Sequence, residues 1–148
     1  CQQLIAESLG KKGKGILPIV SPAPRDHHSL LQLYLDGPKD KLFYIFSLKK
    51  NKKMKVRKNV FGKNFSYAEN KDLSKAKEAQ KNALIHVLKS KNIPYQEFVI
   101  EKKNEETLGE LFSYFIMETT LVGQLLGVNP YDQPAVEQVK TLTKKHLS

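Results

Sequence analysis

The chain has 148 residues, 40% of them hydrophobic, with 25 basic against 15 acidic side chains and a formal net charge of +10. That is the length of one compact domain with enough apolar residues for a core, which excludes a disordered polycation. A single cysteine, Cys1, excludes an intrachain disulfide and a Cys-based zinc cage, and no apolar run approaches the roughly 18 residues of a membrane span.

The sequence enters mid-pattern at Gln2-Gln3-Leu4-Ile5-Ala6-Glu7-Ser8, with no leader, cap or turn ahead of Leu4 and Ile5. It is therefore read as starting inside a helix, as a fragment of a longer chain that carries no secretory signal. Residues 2–9 form that helix, with Gly10 as a left-handed cap. Lys11 to Gly15 is a glycine loop. Ile16-Leu17-Pro18-Ile19-Val20 reads as a short buried strand, at an edge or a bulge because of Pro18. Asp26 offers an N-cap for a helix to about Leu35, ended by Gly37-Pro38.

Leu42-Phe43-Tyr44-Ile45-Phe46 lies in a second strand, 41–48, whose continuous apolar run suits a strand covered on both faces. Residues 49–67 are an irregular stretch or a short hairpin. Helical spacing of Leu73, Ala76, Ala83, Leu84, Val87 and Leu88 predicts a helix over 73–89, and alternation predicts a strand over 95–101. A long helix follows over 105–126, with a stripe of Leu108, Leu111, Phe112, Phe115, Ile116, Thr119, Val122 and Leu126. Glu105 and Glu106 suit its positive N-terminus, and Gly127 stops it. Pro134 opens a final helix to about His146. Three strands separated by helices make one α/β layer domain with a mostly parallel sheet.

Of the 25 Lys and Arg residues, only Arg25 and Arg57 are Arg. Arg is the residue of forked phosphate and guanine recognition, so this composition argues against a dedicated nucleic-acid reader. The densest run, Lys49 to Lys58, reads as a solvated loop. Steeply salt-dependent DNA binding through that run would be needed to make it an interface.

Phosphate-loop, dinucleotide-fingerprint, zincin and nucleophile-elbow patterns are all absent. Three segments remain that could carry chemistry. Glu7-Ser8 precedes the glycine loop, with Lys11 placed to pair with Glu7 at i+4. His27-His28 lies at a helix start. In the stretch Asn129 to Lys140, Gln133 and Lys140 are seven apart, which on one helix points both the same way.

Together these segments resemble the C-terminal part of the glucose-6-phosphate isomerase family. The matching residues are Glu7-Ser8-Leu9-Gly10-Lys11, Asp26-His27-His28-Ser29-Leu30-Leu31-Gln32, and a signature of Gly123, Leu125, Leu126, Tyr131-Asp132-Gln133, Ala135, Val136-Glu137 and Lys140. The resemblance runs over essentially the whole chain. His27 stands where the family commonly has Gln, and Ala135 where Gly is common. The fold it implies is a three-layer sugar-isomerase (SIS) domain, a mostly parallel sheet flanked by helices and closed by a C-terminal helix.

The activity it implies is interconversion of glucose 6-phosphate and fructose 6-phosphate through a cis-enediol, without metal or organic cofactor, by a cytoplasmic homodimer acting in glycolysis and gluconeogenesis. By matching position Glu7 is the general base, and His28 the ring-opening histidine given to the neighbouring subunit's site. Lys140 is the lysine near the ring oxygen, and Gln3 and Gln133 contact substrate. In the family, the Ser and Thr residues that bind phosphate and an Arg that steadies the enediolate precede the matched segment. The 148 residues alone are therefore expected to lack isomerase activity. The alternative is a non-catalytic sugar-phosphate sensor of the same fold, which would need no base.

Overall fold

The computed structural model describes residues 1–49, 54–57 and 69–148. Its regular elements are α1 (Gln2–Leu9), α2 (Arg25–Ser29), α3 (Leu31–Asp36), β1 (Phe43–Leu48), α4 (Leu73–Ser90), β2 (Tyr95–Ile100), α5 (Glu105–Leu126) and α6 (Pro134–Leu147). The chain is α/β, with helices and a two-stranded parallel sheet. It divides into two compact units, Ser21–Lys103 and Cys1–Val20 with Asn104–Ser148.

The Ser21–Lys103 unit is built on a strand–helix–strand crossover. β1 and β2 pair in parallel with Phe43 opposite Tyr95 and Phe46 opposite Phe98, and parallel neighbours need such a crossover, here carrying α4. Phe46 and Phe98 stack at 4.8 Å between ring centroids, and Tyr44 meets Phe98 edge-on at 5.5 Å. These cross-strand aromatic pairs hold the register. Asp72 caps α4 by accepting from the Ser74 N–H at 2.9 Å, and Leu88 on that helix is fully buried. Asn92, in a left-handed conformation, turns the chain into β2.

Three expectations change in this unit. No residue of β1 is fully buried and Phe46 is 46% exposed, so the strand is not covered on both faces as its apolar run suggests. The helix expected from Asp26 to Leu35 is two short helices meeting at Leu30. Asp26 is not its cap: the Pro22 carbonyl already accepts the Asp26 N–H, so the helical turn begins earlier, and the Asp26 carboxylate takes the Arg25 Nε–H at 2.8 Å. Residues 50–53 and 58–68 lie outside the described residues, and with them much of the basic run and of the hairpin or irregular stretch expected over 49–67. At the start of that run, Lys49 pairs with Glu101 at 2.6 Å.

The other unit is helical. α1 packs on α5, and Leu9, Phe115 and Val128 are its buried apolar residues. Asn104 caps α5 by accepting from the Thr107 N–H at 3.2 Å, with Glu105 and Glu106 in the first turn as expected. The buried line on α5 is Phe115, Thr119 and Gly123, while Leu108, Phe112 and Ile116 of the predicted stripe are half exposed. At the far end Gly127 adopts φ 67°, and the Gly127 and Val128 N–H groups return to the Gln124 and Gly123 carbonyls. This closure needs a left-handed residue, which glycine supplies without strain.

Residues 16–20 are not a strand. They have no ladder partner among the described residues, and Ile16, Leu17, Ile19 and Val20 are all more than half exposed. Pro18 has no N–H to give, and its carbonyl accepts from the Gln2 side chain at 3.0 Å instead of from a strand. Gly10 ends α1 as expected but at φ −74°, not in the left-handed region. The left-handed residues come later, at Lys12 and Gly13, which form a two-residue turn between the paired backbones of Lys11 and Lys14.

Candidate active site

Glu7 lies in the last turn of α1, whose neighbouring residues Ser8 and Leu9 are buried. Burying those two turns Glu7 outward, one helical step away. Its carboxylate is held at both oxygens. Gln3, one turn earlier on the same helix, donates its side-chain amide to Oε1 at 3.0 Å. Gln133, 126 residues away along the chain, donates its own to Oε2 at 3.2 Å. Both partners donate through neutral amides, so these two bonds orient the carboxylate without neutralising it. It remains exposed to a ligand.

The segment after α5 that leads to Gln133 is tied to the loop after α1. Lys11, with only 8% of its side chain exposed, pairs with Asp132 at 3.0 Å and donates to the Asn129 carbonyl. Lys14 donates to the Leu126 carbonyl at 2.5 Å, at the negative end of α5. Within the segment, the Asn129 side chain accepts the Tyr131 N–H at 3.0 Å, and the Tyr131 hydroxyl lies 3.3 Å from Thr120 Oγ1. Hydrogen bonding from Lys11, with its charge adding, holds the Asp132 carboxyl below the usual carboxylate range.

The residues singled out by pattern are thus partly assembled. Gln3, Glu7 and Gln133 come together. Lys11 does not pair with Glu7 as its i+4 spacing suggested, because Gly10 ends the helix and sends Lys11 toward Asp132 instead. Gln133 and Lys140 do not share a helical face, since Gln133 is the non-helical residue preceding α6 (φ −141°, ψ 62°) and not part of it. Lys140, exposed on α6, pairs with Glu137 at 2.6 Å. His28 belongs to the other unit and is exposed on α2, while His27 beside it is half-buried. Lys11 and Asp132 both belong to the motifs, but their spacing does not mark them as a pair. The signal was a lysine beyond a helix-ending glycine and an aspartate next to Gln133, which separation in sequence hides.

Among the described residues no cluster of three His, Cys, Asp or Glu side chains is arranged for a metal ion, and no helix is long and apolar enough to cross a membrane. No protein-family model matches the chain. Individual relatives do. The chain is 35% identical over 151 residues to a probable glucose-6-phosphate isomerase of Methanococcus maripaludis, covering 99% of this chain and 33% of the relative. It is 37% identical over 151 residues to the glucose-6-phosphate isomerase of Campylobacter jejuni, covering 99% of this chain and 37% of that one. The crystal structure of a hypothetical protein from Thermus thermophilus superposes with a TM-score of 0.84 at 27% identity, over 99% of this chain and 37% of that chain. The chain thus spans about a third of the length of the relatives it matches. Matched over nearly its whole length by these isomerases, it corresponds to about a third of a chain of the glucose-6-phosphate isomerase family.

Proposed function

We propose that this chain supplies the base of an aldose–ketose isomerase acting on glucose 6-phosphate and fructose 6-phosphate. The observation that carries the reading is the Glu7 carboxylate, held at both oxygens by Gln3 and Gln133 and open to a ligand. Orientation is what a carboxylate lacks as a carbon base, because abstraction needs it within hydrogen-bond reach of the proton it removes.

In the open-chain aldose Glu7 takes the proton from C2. The C2–H electron pair forms the C1=C2 bond of a cis-enediol as the C1 oxygen gains a proton. Glu7 then returns its proton to C1, the C2 hydroxyl loses its own, and the ketose results. One base serves both carbons because they are adjacent. Ring opening requires a proton for the ring oxygen and an acceptor for the anomeric hydroxyl. His28 and Lys140 are the proposed groups, with His28 serving the neighbouring subunit of a cytoplasmic homodimer. Gln3 and Gln133 are proposed to contact the substrate while orienting Glu7. No cofactor enters these steps.

The phosphate contacts and the charge that stabilises the enediolate are proposed to come from the two-thirds of the relatives' length that this chain does not match. The isolated 148 residues are accordingly inactive in this account. The test is a chimera in which residues 1–148 replace the matching third of the Campylobacter jejuni relative. A coupled isomerase assay is expected to show turnover for the chimera, a fall of about 10²–10⁴-fold in kcat on Glu7→Gln, and none for the isolated chain. Turnover by the chain alone, or a chimera indifferent to Glu7→Gln, would contradict the reading.

A further inference from the structure

We propose that Lys11 is a positioning residue: its ammonium, shared between the Asp132 carboxylate and the Asn129 carbonyl, fixes the segment after α5 so that Gln133 meets Glu7. Calling this positioning rests on the reading of Glu7 as the base.

The two contacts are rungs between the same two stretches of chain. Glu7 and Lys11 lie on either side of the helix-ending Gly10, and their partners Gln133 and Asp132 are adjacent. The rungs differ in strength. The Glu7–Gln133 bond joins two exposed side chains, and such a bond alone cannot hold two long side chains in one geometry. Lys11 is almost wholly withdrawn from water, a placement lysine adopts only when its charge is met, and here a carboxylate and a carbonyl meet it. Its bonds therefore constrain the segment 129–132 far more than the exposed amide can. The low-lying Asp132 carboxyl agrees with a formed pair.

Lys11 cannot itself touch a ligand at Glu7 while it is buried in these contacts. Its role runs through Asp132 and the backbone to the next residue, Gln133. The Lys14 bond to the Leu126 carbonyl anchors the other end of the same turn, and the chain between Lys11 and Lys14 is pinned by its two-residue turn. The α1–α5 packing brings the two stretches close, and the lysine sets their register.

The experiment uses the isotopically labelled 148-residue chain and reads the nuclear Overhauser contact between the Gln133 side-chain amide and the Glu7 side chain. The contact is expected in the unsubstituted chain, lost in Lys11→Met and in Asp132→Asn, and kept in Lys11→Arg, which restores a cation able to serve carboxylate and carbonyl together. A general loss of stability would not be reversed by the arginine with the contact returning. Should Lys11→Met fail to fold, Asp132→Asn, nearly identical in shape, decides. The proposal is overturned if the contact is missing from the unsubstituted chain, or survives in folded Lys11→Met or Asp132→Asn. The readout needs no turnover. A contact that depends on Lys11 in a chain whose chimera ignores Glu7→Gln keeps the clamp and refutes the base. A contact indifferent to Lys11 alongside a Glu7-dependent chimera does the reverse.

Discussion

Gln133 donates its side-chain amide to the Glu7 carboxylate at 3.2 Å although 126 residues separate them. With Gln3 on the opposite oxygen at 3.0 Å, it leaves the carboxylate oriented, with no cation paired to it among the described residues. Removing one amide should therefore act on geometry. Gln133→Leu in the chimera is expected to lower kcat by about 10- to 100-fold, as misplacement of a reacting group does. Gln3→Leu should act in the same direction. Steady-state kinetics on the two single variants and the double variant check this, with less-than-additive losses expected for groups serving one carboxylate.

The Lys11–Asp132 pair predicts an acid-sensitive contribution to stability. Asp132 has a lower pKa folded than unfolded, so the folded chain binds fewer protons there. Its contribution is complete above the ordinary carboxylate value of about 3.9 and is lost as pH falls through the lower folded value. Carboxyl NMR titration is expected to place Asp132 below that ordinary value and to move it back toward that value in Lys11→Met. Urea unfolding of the two proteins should converge as the pH is lowered through this window.

Two glycines should respond to alanine for different reasons. At Gly127, with φ 67°, a Cβ would approach only the flexible end of Lys14, so the expected cost is that of the left-handed backbone, about 1–2 kcal/mol, with asparagine milder. At Gly15, with φ 135°, a Cβ would also lie 2.8 Å from the Gly10 Cα. Gly15→Ala should therefore cost more than Gly127→Ala in chemical denaturation, because a backbone atom cannot step aside.

Much of the architecture was legible from local signals. Helix α5 runs from Glu105 to Leu126 as its period, acidic first turn and terminal glycine indicate. Pro134 opens α6, and the parallel strands fall within their predicted spans. The departures from local pattern share a cause. Ile16 to Val20 has the composition of a strand, but a strand exists only if another chain segment accepts its hydrogen bonds, and Pro18 helps deny them. Lys11 has the spacing of a partner for Glu7, but spacing counts only while the helix lasts. Gly10 ends it, and the lysine finds Asp132. The pairing of Gln133 with Glu7 depends on α1 packing on α5, information that no window of adjacent residues contains.

The central claim is that Glu7 carries the proton between two carbons, and solvent isotope wash-in tests it most directly. In deuterium oxide, the chimera is expected to place deuterium at C1 of the fructose 6-phosphate it forms from glucose 6-phosphate, because a protonated Glu7 exchanges with solvent before returning its proton. Glu7→Gln should abolish that incorporation while the protein remains folded. Undiminished incorporation in Glu7→Gln would contradict the account.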